Sequence, residues 1–371
     1  MRVGFLIGAL NAGGSERQLS VLASGLAGRG HDVEVMSYDG AGVFDDVIIR
    51  SGGRVRHGNG GSRLHKLAQV REWLREFRPE VVHGFMKRAS GLAVLASLPR
   101  RRCKVIASDL STATYARRQP ALWGALALFH LADRVATQTD VNRRSLGLLA
   151  PLLRRKIVVI RNGVDTTRFQ PAERAAWDRG RPFRFLCVGS VYHVKNPVGV
   201  VEAARILREN SRLPFTVTWV GRSSRGSEEV RSEAYLRATD LVRRYGLEGI
   251  VEFRGQVSAV EEAYAQADAL VHVSIQEGIP NAVVEAMASG LPVVVSRVSD
   301  LPSIVQHARN GFVCEARDPG SIAAALQQMM EATDGERKRM GASSRSVAEA
   351  WFGNGRFIRD YESLYRELLG R

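Results

Sequence analysis

Residues Ser274 to Pro292 read S-I-Q-E-G-I-P-N-A-V-V-E-A-M-A-S-G-L-P, and the apolar run Ala269-Leu270-Val271-His272-Val273 leads into them. The run predicts a buried strand ending near Ser274. A turn with Gly278 and Pro280 follows, then a helix that starts at about Asn281 and stops at Gly290. The loop therefore lies at a strand's carboxyl end, where open parallel α/β sheets bind ligands. A helix start there offers unpaired N–H groups and a partial positive charge to an anion. Glu277 sits in the loop beside Gly278, whose missing Cβ lets a ligand approach the backbone, and Glu285 sits in the second helical turn. Two carboxylates so placed can accept hydrogen bonds from one polyhydroxylated ligand.

Upstream, Val3 to Leu10 reads as a strand and Asn11 to Glu16 as a turn through Gly13-Gly14. A helix follows in which Leu19, Leu22, Ala23 and Leu26 form the apolar stripe and Ser15 is the expected N-cap. A double glycine between strand and helix can cradle a phosphate or make a plain tight turn. Neither G-x-G-x-x-G nor a Walker lysine pattern is present. Strand-like and helix-like segments then alternate through His31 to Ser37, Leu64 to Phe77, Val81 to Phe85, Ala89 to Leu98, Lys104 to Ser108, Arg134 to Gln138 and Lys156 to Ile160. That rhythm predicts a doubly wound parallel sheet. Residues 171–182, rich in charge and holding Gly180 and Pro182, read as a linker. The pattern restarts with a strand from Phe183 to Val188, a loop from Gly189 to Pro197 and a helix from Val198 to Arg208.

The central stretch, with E-G-x-P-N and E-A-M-A-x-G-x-P-V-V, resembles the signature of the retaining, nucleotide-sugar-dependent glycosyltransferases of family 4. Matching features recur from Gly13 to Pro319. The resemblance implies a GT-B fold: two Rossmann-like doubly wound domains facing across a cleft. The expected domains are residues 1–170, which bind the acceptor, and 171–352, which bind the nucleotide sugar, with a terminal helix at about 353–371 packing back on the first. It further implies that Glu285 holds the ribose, and that Glu277 contacts donor-sugar hydroxyls with backbone amides from Gly278, Ile279, Pro280 and Asn281. Gly13 and Gly14 are expected at the donor phosphates, Lys195 at the diphosphate, and Arg254-Gly255 at the base. Where the family has an arginine after the glycine this chain has Ser190, so Arg222, after the strand from Phe215 to Gly221, is the expected compensation. Family members often carry a histidine where this chain has Phe85, and another where it has Ala107-Ser108-Asp109; His83 or Asp109 is left for the acceptor side. His83 in an apolar strand is equally at home as a core residue. The N-G-V-D element at Asn162 to Asp165, with Phe169 and Pro171, matches the close of the family's first domain.

Of the 371 residues, 45% are hydrophobic and 25% charged, as in an ordinary globular protein. No apolar run reaches the roughly 20 residues that cross a bilayer, and Met1 to Leu10 reads better as a first strand than as a secretory signal. Cys103, Cys187 and Cys314 are too scattered for a disulfide framework or zinc site and read as thiols of a reducing compartment. The net charge is +15, and residues 1–170 hold 27 of the 53 Lys and Arg but 13 of the 38 Asp and Glu. The first half therefore either faces an anionic surface or acceptor, or is merely well solvated. Tyr115 to Gln119 ahead of the apolar segment Ala121 to Phe129 reads as an interfacial helix with a basic flank, or as a core helix. No aromatic-interleaved basic motif marks a nucleic-acid binder.

The expected function is metal-independent transfer of a sugar, with retained configuration and no cofactor, from a UDP- or GDP-sugar to an acceptor hydroxyl. The acceptor expected is a glycan or lipid-linked cell-envelope precursor, and the location cytoplasmic, at the inner face of the membrane. In this reading Glu277, Lys195 and His83 serve catalysis. A nucleotide-sugar epimerase or hydrolase of the same fold, and a non-catalytic nucleotide-sugar-binding partner subunit, are the alternatives.

Overall fold

Parallel strands need crossovers, and helices supply them on both faces of the sheets, so these strands read as nearly unbroken apolar runs. The computed structural model describes residues 1–109, 120–173, 176–177, 179–224 and 231–371. Two compact units result: Met1–Gly163 with Asn354–Arg371, and Val164–Gly353.

The first unit contains β1 (Arg2–Ile7), β2 (Asp32–Ser37), β3 (Arg54–His57), β4 (Val81–Gly84), β5 (Lys104–Asp109), β6 (Arg134–Thr137) and β7 (Ile157–Val159). All pairings are parallel, in the order β3-β2-β1-β4-β5-β6-β7. The second contains β8 (Phe183–Val188), β9 (Phe215–Val220), β10 (Val251–Gly255), β11 (Ala269–His272), β12 (Val293–Ser296) and β13 (Gly311–Cys314), parallel in the order β10-β9-β8-β11-β12-β13. Alternate residues of β8 serve opposite cores: Phe183, Phe185 and Cys187 join Trp219 and Met329, while Leu186 joins Ile279 and Met287. In each sheet the strand order reverses, between β1 and β4 and between β8 and β11, and the carboxyl ends at such a reversal are where open α/β sheets bind ligands.

Several local expectations change. β3 was not foreseen, because Arg54, Val55, Arg56 and His57 carry no apolar run. It is an edge strand, and its charges are matched by the neighbouring Glu34, whose carboxylate accepts from Arg54 Nε at 3.1 Å and, on its other oxygen, from Trp73 Nε1 at 2.9 Å. Ser15 is not the N-cap. The helix begins at Gly14 with Gly13 at the cap, and no side chain closes it. The boundary expected at 170 lies at Gly163. Val164 bridges Gly353, its N–H donating to the Phe352 carbonyl at 2.6 Å, and Phe169 stacks edge-on against Tyr264. Arg345 secures this segment, donating to the carbonyls of Thr166, Phe169 and Ala288.

The terminal helix Asn354–Leu369 belongs to the first unit, where Phe357, Tyr361, Leu364 and Tyr365 pack beside Phe5, Val81 and Ile106. The expected basic flank at Tyr115 to Gln119 lies outside the described residues. In the helix Pro120–Phe129 that follows, Leu126 and Phe129 are buried and Trp123 is 49% exposed. Among the described residues no helix is long and apolar enough to cross a membrane.

Candidate functional site

In the second unit three loops meet at the carboxyl ends of β8, β11 and β13. Asn196, in the left-handed region at φ 62°, caps the helix Pro197–Asn210 by accepting from Gly199 N. Its amide donates to the Ala316 carbonyl at 2.6 Å and the Val273 carbonyl at 3.3 Å, so one side chain fixes all three loops. Ile275 N–H donates to the Val194 carbonyl at 2.8 Å and ties the first two loops together again.

That scaffold brings Lys195 onto Glu277, and their side chains form an ion pair. His272, at the end of β11, completes the cluster: its Nε2 lies 3.2 Å from Glu277 Oε1 and 3.0 Å from Ser274 Oγ. Burial alone would raise the Glu277 carboxyl, but the His272 hydrogen bond and the Lys195 charge outweigh it and hold it down at about 2. Burial pushes His272 below the ordinary imidazole range, with the Lys195 charge adding to it and Glu277 opposing. At neutral pH the carboxyl is therefore ionised and the imidazole neutral, donating to the carboxylate.

Glycines let the backbone come close beside it. Gly189 has φ 142° and the Lys195 stem passes over it; Gly221 has φ 153°, and a Cβ there would collide with the Gly189 carbonyl. Gly221 N–H donates to the Gly255 carbonyl at 2.8 Å, and Val191 N–H to the Arg222 carbonyl at 2.9 Å. The structure thus places Ser190, Arg222 and Gly255 around adjoining strand ends. Arg254 points elsewhere, donating to Glu252 of its own strand at 2.9 Å.

Gly278 and Asn281 are half-buried and Ile279 and Pro280 buried at the start of the helix Asn281–Ala288, where Pro280 is the N-cap and lacks a capping side chain. Glu285 is 3% exposed, and Tyr264 Oη donates to its Oε2 at 2.9 Å.

In the first unit, Gly13 N–H donates to the Asn11 carbonyl at 2.8 Å, and Glu16 folds back over Gly13. A carboxylate thus already faces the helix start where a phosphate was expected. His83 does not present a nitrogen to any crevice. It is fully buried among aromatic rings, with Nδ1 2.7 Å from Tyr365 Oη and Nε2 2.6 Å from Ser108 Oγ. Burial pushes its pKa down to about 3. A neutral ring donates through one nitrogen and accepts through the other, so this geometry makes His83 a core residue. Asp109, at the end of β5, is 1% exposed and lies 3.3 Å from Lys87 Nζ.

His272 and Tyr264 escaped the sequence reading. An ionisable residue closing an apolar strand was the signal available for His272; nothing in the sequence singles out Tyr264. Among the described residues no three His, Cys, Asp or Glu side chains are grouped to hold a metal ion.

Residues 12–168 match the family described as Glycosyltransferase Family 4, and residues 169–347 the family described as Glycosyl transferases group 1. Over 183 residues the chain is 30% identical to UDP-Gal:alpha-D-GlcNAc-diphosphoundecaprenol alpha-1,3-galactosyltransferase of Escherichia coli, covering 47% of this chain and 46% of that one. Over 207 residues it is 30% identical to D-inositol 3-phosphate glycosyltransferase of Streptomyces scabiei, covering 53% and 45% respectively. The chain thus spans about half the length of these curated relatives. The structure of Anabaena HepE in complex with UDP superposes with a TM-score of 0.85 at 18% identity, over 99% of this chain and 100% of that one.

Proposed function

The chain belongs to the group 1 glycosyl transferases and has the GT-B fold, and from that premise we propose that it transfers a sugar from a nucleoside-diphosphate sugar to an acceptor hydroxyl. The observation that carries the reading is the Lys195–Glu277–His272 cluster at the point where the second sheet reverses its strand order. Breaking the bond between the anomeric carbon and the diphosphate leaves charge on the leaving oxygen, and a preorganised cation stabilises it without rearrangement at that moment. In our reading Lys195 turns from Glu277 to the diphosphate, with the helix start at Asn281 adding N–H groups and the absent side chains of Gly189 and Gly221 letting the ligand come close to the backbone. Glu277, retained by His272, then accepts hydrogen bonds from donor-sugar hydroxyls. Glu285, oriented by Tyr264, holds the ribose.

Retention of configuration and independence of metal are part of the proposal; the family resemblance supports both, and Lys195 offers the positive charge a metal would otherwise bring. The Escherichia coli relative, named for an acceptor carried on diphosphoundecaprenol, supports a lipid-linked cell-envelope acceptor met at the cytoplasmic face of the membrane.

The test is donor turnover. The chain is incubated with UDP- and GDP-sugars and EDTA, with and without a membrane lipid extract, and released nucleoside diphosphate is measured, alongside Lys195→Ala and Glu285→Ala. Release that requires the extract, survives EDTA and falls by about 100-fold or more in the Lys195 variant is the expected result. Release without any acceptor would replace transfer by hydrolysis or epimerisation. Absence of donor binding would leave a non-catalytic partner subunit.

A further inference from the structure

At the amino ends of β4 and β5, remote along those strands from the carboxyl ends where such sheets bind substrates, the first unit carries an open cavity of about 720 Å³. That volume lies within the range of small-molecule sites. Its floor is apolar, formed by Leu74, Ala96, Leu98 and Pro99 with the Cys103 thiol, which burial pushes up to about 11 and so keeps protonated. Its rim is cationic. Arg71, Arg75 and Arg78 come from one stripe of the helix Arg63–Phe77 and its C-cap, and Arg100 and Arg102 from the segment leading into β5.

Among the described residues none of these five guanidinium groups has a carboxylate within 4.0 Å, although most other arginines of the unit do. Of the acids nearby, Glu76 pairs with Arg56 and Glu80 with Arg371, Asp133 accepts from Val105 N at 2.7 Å, and the exposed Glu72 lies on the same helix with none of the five guanidinium groups within 4.0 Å. Arg75 and Arg78 donate through Nε to the Arg71 and Arg75 carbonyls at 3.3 Å, and Arg71 donates through a terminal nitrogen to the Leu95 carbonyl at 3.4 Å. Arg78 also sits at φ 51°, ψ 58°, the left-handed C-cap geometry that favours glycine, so a cation is kept where a cheaper residue exists.

Five like charges brought together from two chain segments without counter-charge repel one another unless an anion joins them. Guanidinium forks match phosphate oxygens in pairs, and the adjoining apolar floor suits a hydrocarbon chain. We infer that this cavity is a binding site for a phosphate-bearing amphiphile, the phosphate seated on the arginine rim and the tail on the Leu74–Leu98 floor. The inference stands apart from the proposed transfer reaction, because it concerns neither the donor cluster nor the carboxyl ends of the sheet.

The test is calorimetric titration of the whole chain with dihexanoyl phosphatidic acid below its micelle concentration, with glycerol 3-phosphate and dihexanoyl phosphatidylcholine as comparators. Vesicle flotation on phosphatidylglycerol in phosphatidylcholine is run in parallel. The variants are Arg75→Ala/Arg102→Ala and, as an equal loss of charge in the other unit, Arg212→Ala/Arg339→Ala; all four side chains are exposed, so folding is retained.

Saturable binding of the phosphatidic acid, weakened about tenfold or more in the first variant and unchanged in the second, is expected. Flotation lost in step would identify a membrane lipid as the source; titration without flotation would identify a dispersed amphiphile, and supports the site equally. Equal weakening in both variants would reduce the effect to diffuse charge and overturn the site. Glycerol 3-phosphate binding as tightly as the amphiphile would overturn the role of the floor. No saturable binding would overturn the inference outright.

Discussion

Replacing Glu277 by glutamine should make the second unit less sensitive to acid, and the size of the change follows from the cluster. The carboxyl is held at about 2 against an ordinary 4.5. A group whose folded pKa is depressed contributes stability that is present above the unfolded value and lost as pH falls toward the folded one. The full contribution is about 3 kcal/mol. Between pH 6 and 3.5 linkage removes about 1 kcal/mol of it. The remaining carboxylates titrate in both chains and cancel, so the difference between the two pH curves reports Glu277 together with the part of the His272 titration that Glu277 sets.

Urea unfolding would be followed by fluorescence in a Trp73→Phe/Trp123→Phe background, where the signal comes from Trp177, Trp219 and Trp351, all in the second unit. The wild-type advantage over Glu277→Gln should shrink by about 1 kcal/mol from pH 6 to 3.5. Parallel curves, or an advantage that grows on acidification, would refute the claim that His272 and Lys195 hold an ionised carboxylate there.

Gly221→Ala should destabilise the second unit by about 3 kcal/mol or more, because its Cβ meets the Gly189 carbonyl at a φ that L residues rarely adopt; an unchanged urea midpoint would contradict this. His83→Gln should lower first-unit stability by about 1–3 kcal/mol, as Tyr365 and Ser108 lose a buried partner, while donor turnover stays within about twofold; a large loss of turnover at unchanged stability would return His83 to the chemistry. Arg345→Ala should cost about 2–4 kcal/mol, leaving three backbone carbonyls without their charged donor, and a urea titration that matches wild type would show that segment 164–170 is held by packing alone.

The central stretch was legible because one short segment carries strand, loop and helix with both glutamates in place, and local spacing alone puts them at a strand's carboxyl end. Lys195 was legible for the same reason, lying in a loop that enters a helix. What remained hidden depends on partners distant in sequence. His83 reads as chemistry until Tyr365, 282 residues later, closes over it. β3 is a strand only because Glu34 of the next strand answers its arginines. Tyr264 matters through a carboxylate 21 residues on, reached by tertiary packing. Ser15 failed as a cap because Gly13, two residues earlier, already takes the extended backbone a cap needs, at φ −121°, ψ 165°, and leaves Ser15 inside the helix.

The crossing at Gly163–Val164 and the return at Gly353–Asn354 make the second unit an insertion within the first, with its own ends laced together by the Val164 to Phe352 hydrogen bond. On the ribosome this fixes an order of events. The inserted unit is complete in 190 consecutive residues and can fold as soon as they emerge. The outer unit, though begun first, must wait with one sheet face uncovered until Phe357, Tyr361 and Tyr365 follow the whole of the inner unit. A released chain ending at Gly353 should therefore display a finished inner unit and a protease-sensitive outer one.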